Sequence, residues 1–187
     1  MKKTDVRVVK TQKVLLDALY ELIKTKKLSC ISITELCSKA GINRNTFYYH
    51  YNNIYELLSE NKNQLIKQIN DIFNKYKTPS PDMLTEILYA IKDRPQFINI
   101  LYSPNCDLDY FEEICDLASQ KTAEYYNSKG FTSPKDLMIC HYSNAGTNSI
   151  FRDWIKGGMK EDPEEITELI SMLGRNGPIT ILFSNKK

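Results

Sequence analysis

SITELCSKAGINRNTFYYHYNNIYELL, residues 32–58, holds two short amphipathic segments on either side of a glycine, followed by the start of a third apolar stripe. Ser32 stands three residues before Glu35, the spacing of a capping box in which the hydroxyl accepts from the Glu35 amide and the carboxylate reaches back to the Ser32 amide. A helix therefore starts at Ile33. Its apolar positions Ile33, Leu36, Cys37 and Ala40 follow i, i+3, i+4, i+7, so one narrow face is buried. Gly41 supplies the left-handed backbone that stops this helix, Ile42 fills the turn, and Asn43 caps the next helix. Two short helices about a glycine turn make a helix-turn-helix pattern, although a plain structural corner has the same outline.

The second helix of the pair is dense in large rings. Advancing about 100° per residue from Arg44 puts Phe47, Tyr51 and, less deeply, Tyr48 on one side. Asn45, Thr46, Tyr49 and His50 fall on the opposite side, with Arg44 at the border near the positive end of the helix dipole. The outward set offers amide, hydroxyl, phenol, imidazole and guanidinium groups and no acid. Groups of this kind pair with base edges, phosphates and thymine methyls in a major groove. Tyr48 and Tyr49 are stiff, so their hydroxyls reach a sugar-phosphate rail at small rotamer cost. Core packing is the competing reading of each ring; it suits Phe47 and Tyr51 and fails for Tyr49 by angle. His50 has no Cys, His or carboxylate at ligand spacing, which favours a phosphate or base contact over a metal.

Around this stretch almost every segment repeats apolar residues at helical spacing, so the expected fold is all-α. Val14, Leu15, Ala18, Leu19, Leu22 and Ile23 stripe a first helix that KTKKLSC ends. Asn52 or Asn53 caps a long helix from Ile54 to about Lys77. A helix over Met83–Ile91 is interrupted at Arg94-Pro95, and a short one follows to Tyr102. Asp109 to Lys129 reads as a helix closed by Gly130. Pro134 to Lys156 and Pro163 to about Leu173 start at Ser-Pro and Asp-Pro and stop at Gly157-Gly158 and Gly174. Only the final ITILF, 179–183, carries a period-two pattern.

The whole composition narrows the function classes. With 187 residues, 42% apolar and 26% charged, the chain can build a real core, and it has no apolar run of membrane-spanning length. MKKTDVRVVKTQ lacks a signal-peptide core, which predicts a cytoplasmic protein. Five cysteines (Cys30, Cys37, Cys106, Cys115, Cys140) without a CxxC pair predict neither a disulfide framework nor a zinc site. Residues 1–50 carry ten Lys/Arg and four Asp/Glu, a charge of +6, whereas 51–187 carry fifteen and nineteen, a charge of −4. A basic head on an acidic body points to a polyanionic partner. Two distant histidines, no GxSxG, no P-loop and no paired metal ligands leave no assembled nucleophile and base, so no enzyme and no cofactor are expected.

The run 32–58 resembles the DNA-binding signature of the TetR/AcrR family of bacterial transcriptional regulators. Ser32 and Thr34 open the second helix, Ala40-Gly41-Ile42 makes the turn, and Tyr48-Tyr49-His50-Tyr51 ends the recognition helix. The resemblance implies a DNA-binding head over 1–53 and a helical effector-binding and dimerisation body over 54–187. Arg44, Asn45, Thr46 and Tyr49 would face bases, with Thr34, Tyr48 and His50 on phosphates. FRDWIKGGMKEDPEEITELI is similar to the end of a common C-terminal domain type whose last two long helices pair with their copies in a second subunit, which implies a homodimer. An effector pocket in the body would be lined from Tyr89, Phe97, Tyr102, Cys106, Phe111, Cys115, Cys140, His141 and Tyr142, with Gly146 giving a close backbone approach; plain core is the competing reading of these residues. Together these imply a repressor that leaves its DNA operator when a small molecule binds. One position departs from the family pattern. Ile54 stands where relatives commonly have a phosphate-touching Lys, which removes one backbone contact and keeps alive the alternative of a co-activator working through protein contacts.

Overall fold

The computed structural model describes residues 6–177, and the ITILF segment, 179–183, lies outside them. Every regular element among the described residues is helical: α1 (Val6–Ile23), α2 (Ile33–Ala40), α3 (Arg44–His50), α4 (Ile54–Tyr76), α5 (Pro81–Lys92), α6 (Pro95–Leu101), α7 (Tyr110–Ser128), α8 (Pro134–Lys156) and α9 (Pro163–Asn176), with one 3₁₀ turn at Leu28–Cys30. The all-α expectation holds.

Local chemistry sets most boundaries. Asn43 Oδ1 accepts from the Asn45 amide at 2.8 Å to start α3, and Asn53 Oδ1 accepts from the Glu56 amide at 2.8 Å, so Asn53 rather than Asn52 caps α4. Ser80 caps α5 ahead of Pro81, and Ser133 and Asp136 form a reciprocal capping box on α8. Gly41 adopts φ 65° at the end of α2, where its amide still bonds back into the helix. Three expectations need correction. The Ser32 box forms only by half: Ser32 Oγ accepts from the Glu35 amide at 3.1 Å, but the Glu35 carboxylate pairs with Lys26 at 2.5 Å. A nearby ammonium is a stronger partner for a carboxylate than a neutral amide. Gly174 does not stop α9, which runs to Asn176, because one glycine only weakens a helix by about 1 kcal/mol when the ladder continues around it. Gly146 admits no close approach within the chain, since no atom stands within 4 Å of where its Cβ would be.

The chain divides into two compact units. One takes in α1, α2, α3, the first half of α4 to Leu65, and Arg94–Phe111; the other takes in Ile66–Asp93 and the chain from Glu112 through α9. In the first, α1 packs on α2 and α6, and α2 packs on α3. Its core includes Leu15, Leu19, Ile23, Leu28, Leu36, Phe47, Leu57 and Leu58. Leu16 is buried as well, whereas Val14 and Leu22 of the expected stripe are half-buried.

In the second unit α5 and α8 both pack against α9. A polar seam joins them: Thr85 donates to or accepts from Thr167 at 2.8 Å, Tyr89 OH donates to Glu164 Oε1 at 2.9 Å, and Lys92 Nζ meets Asp162 Oδ1 at 2.9 Å. The Glu161 carbonyl accepts from both Trp154 Nε1 at 3.1 Å and Lys92 Nζ at 3.2 Å, which fixes the approach to α9.

Candidate nucleic-acid interface

The outer face of α3 is built from below. Phe47 is fully buried and Tyr51 nearly so, their ring centroids 5.7 Å apart. Tyr48 stacks edge-on against Phe47 at 5.8 Å while half of it remains exposed, and the Arg44 guanidinium lies 6.0 Å from the Tyr48 ring centre. With its aromatic side locked down, the helix presents Arg44, Asn45, Thr46 and Tyr49 to solvent, and Tyr49 is 84% exposed. The Tyr49 ring meets His50 edge-on at 4.9 Å, and His50 is half-buried. Thr34, on α2, is exposed. All seven residues expected to meet DNA thus lie on the accessible surface or at its edge.

Ile54 is only 5% exposed and belongs to the core, so the departure from the family pattern fills an inward position. Beside it, Glu56 accepts from the Asn52 amide at 2.7 Å and from Asn52 Nδ2 at 2.8 Å, which ties the α3–α4 connection.

Burial pushes the Tyr51 phenol up to about 12, helped by the nearby Glu60 and Glu56 carboxylates and opposed by the Gln12 side chain. The sign follows from linkage. Below pH 10 the phenol is neutral in both folded and unfolded chains; between 10 and 12 only the unfolded chain ionises, so stability falls there, on the order of 2 kcal/mol. Urea unfolding at pH 9 and pH 12 is expected to show this loss in the native protein and a smaller one in Tyr51→Phe. Equal losses would contradict the assignment.

The residues expected to line an effector pocket are scattered. Tyr102 meets Phe111 edge-on at 5.1 Å in the first unit, where Phe97 is also buried. Cys115 is buried in the second unit, its thiol pushed up to about 11 by burial. Cys140 joins Phe131 in a small cluster with Tyr126 and Ile139. Tyr89, His141 and Tyr142 are on the surface: Tyr89 holds Glu164, and Tyr142 is 70% exposed. A lone apolar or aromatic residue in an amphipathic repeat reads the same whether its face meets a pocket, a partner or water, so spacing alone does not separate these three exposed residues from the buried ones. Tyr142 instead shares an exposed apolar face with Met138 on α8, and Leu169, Met172 and Leu173 make a second such face on α9.

Arg94–Phe111 also contributes to the unit that carries α3. No local motif announces it; four of the seven residues of α6 are apolar and buried, a density that marks a helix covered on more than one side.

Residues 79–176 match the family described as "Transcriptional regulator C-terminal region", of TetR type. No curated protein matches the chain. Among solved structures, the dihydroxyacetone kinase operon activator DhaS is 21% identical, with 94% of this chain and 95% of that chain covered and a TM-score of 0.58. The fatty acid degradation regulator FadR from Bacillus halodurans is 12% identical over 86% of this chain and 96% of its own, with a TM-score of 0.59. NalD of Pseudomonas aeruginosa, a secondary repressor of the MexAB-OprM multidrug efflux pump, is 18% identical over 90% and 96%, with a TM-score of 0.56. These three likenesses speak to the fold. Because the family match spans 98 of the 187 residues and the helical architecture agrees along the chain, this protein belongs to the TetR family of transcriptional regulators.

Proposed function

We propose that the protein is a homodimeric repressor that reads a two-fold operator in duplex DNA with α3 and releases it when a small molecule binds the body. The carrying observation is the open outer face of α3, with Asn45, Thr46 and Tyr49 free of cover and Phe47 and Tyr51 anchored beneath. In this reading Arg44, Asn45, Thr46 and Tyr49 meet base edges, while Thr34, Tyr48 and His50 meet phosphates. Dimerisation is supported by the apolar faces of α8 and α9, since exposed Met138, Tyr142, Leu169, Met172 and Leu173 are costly to leave in water. One helix-turn-helix reads few base pairs; a two-fold pair reads two half-sites about 34–36 Å apart.

For the effector, Phe97, Tyr102 and Phe111 remain as candidates within the first unit and Cys115 within the second, each taken by itself, whereas the exposure of Tyr89, His141 and Tyr142 argues against an interior role for them. Release requires that the ligand prefer the form that does not bind DNA; a tenfold loss of operator affinity corresponds to about 1.4 kcal/mol of such preference. The protein acts in the cytoplasm, where its DNA is, without chemistry of its own. Among the described residues no helix is long and apolar enough to cross a membrane, and no three metal-ligating side chains cluster.

A second reading, a co-activator working through protein contacts, is favoured by the apolar Ile54 and by the naming of DhaS as an operon activator. Titration of the protein against duplex from the DNA upstream of its own coding sequence separates the two. The DNA-reading regulator shows affinity that falls steeply with salt, about 0.9 log unit per log unit of salt for each phosphate neutralised. Salt-independent or absent binding supports the co-activator.

A further inference from the structure

The loop after α6 holds an asparagine whose bonds bear on the reading helix. Asn105 Nδ2 donates to the carbonyl of Ile23, the last residue of α1, at 2.8 Å. The Asn105 carbonyl accepts from the amide of Leu28, the first residue of the 3₁₀ turn before α2, at 2.9 Å. One residue therefore satisfies an orphan acceptor at a helix end and an orphan donor at the start of the next turn, bridging the exposed segment Lys24–Lys27. Asn105 is itself held: its amide donates to Ser103 Oγ at 3.2 Å, and the Cys106 amide donates to the Ser103 carbonyl at 3.0 Å. Below it α6 packs on α1 with Phe97, Ile98, Ile100 and Leu101 buried. The bridged segment then reaches α2 through the Lys26–Glu35 pair, and α2 leads through the Gly41 turn into α3.

We propose that Asn105 is a positioning residue for DNA binding: it clamps the α1–α2 connection and so fixes the placement of α3, although it lies beyond α4 and α5 in sequence. The inference rests on the DNA-reading function proposed above. A clamp of this kind acts on geometry, because Asn105 adds no charge and need not touch DNA. Its loss lowers affinity without changing how many phosphates are neutralised.

The test uses the full chain and the upstream duplex, with native protein, Asn105→Ala, Asn105→Asp and Asn105→Ser. The Asp variant keeps the shape but puts an ionised acceptor against the Ile23 carbonyl; the Ser variant restores a shorter donor. Expected are roughly tenfold losses of affinity for Ala and Asp, the effect of one lost hydrogen bond, with partial recovery for Ser and an unchanged salt slope. Amide exchange is expected to quicken at Leu28 and along α2 in the Ala and Asp variants and to stay at the native rate in α5 and α9. Native affinity in the Ala and Asp variants overturns the proposal while leaving the DNA reading intact. Faster exchange across α5 and α9 as well, with a general fall in Tm, also overturns it, by reducing Asn105 to a general stabiliser. If the native protein binds no duplex, the functional reading itself has failed, and the inference falls with it.

Discussion

Replacing Tyr142 by aspartate is expected to halve the solution mass of the protein and to weaken its binding to operator DNA by more than ~100-fold, while leaving each chain folded. Tyr142 is 70% exposed in the single chain, so the substitution removes little intramolecular packing, and surface changes of this kind rarely move stability by more than about 0.5 kcal/mol. In a two-fold dimer the same change appears twice and puts two carboxylates into an apolar contact, at several kcal/mol for each unpaired charge. Light scattering reads the mass, anisotropy the affinity, and thermal melting the fold. A variant that keeps the dimer mass would move the dimer contact away from the α8 face, and one that becomes monomeric yet binds operator as well as the native protein would remove dimerisation from the mechanism.

The second large effect is on stability. Phe47→Ala deletes the fully buried ring beneath the outer face of α3, where it meets both Tyr48 and Tyr51. Aromatic-to-alanine changes in a core cost about 3–5 kcal/mol, through lost transfer energy and an unfilled cavity. The unit containing α3 has a limited core, so this is a large share of the roughly 5–15 kcal/mol that holds an ordinary domain together. DNA binding should be lost together with the helical signal of this unit, and amide exchange in α1, α2 and α3 should rise toward that of an unfolded chain. A loss below about 1 kcal/mol in denaturant unfolding would show that the Phe47 site collapses around the gap, and that the ring is a smaller part of the scaffold than its burial suggests.

What could be read without coordinates was mainly what local chemistry controls. Ser32, Gly41, Asn43, Ser133 and Asp162 announce helix ends because each satisfies backbone groups within a few residues of itself, and the angular positions of Phe47 and Tyr49 follow from helix periodicity alone. Competition between partners was not readable: Glu35 left its box for Lys26, a residue outside the helix. Nor was the partner of an apolar face. Tyr142 and Phe97 look alike in a periodic pattern, yet Phe97 is in a core and Tyr142 is in water in the single chain. The bonds of Asn105 to Ile23 and Leu28 depend on contacts across most of the first unit's sequence span, and no motif encodes them.

In the proposed function, the outer edge of α3 is what distinguishes one duplex sequence from another. The direct measurement compares native protein with the Thr46→Ala/Tyr49→Ala double variant on its upstream operator and on a shuffled duplex of the same composition, by anisotropy at several salt concentrations. Each base contact is worth about 1–3 kcal/mol of discrimination, so the variant should lose most of its preference for the operator while binding the shuffled duplex nearly as the native protein does, with a similar salt slope. An undiminished preference for the operator in the variant would contradict the account.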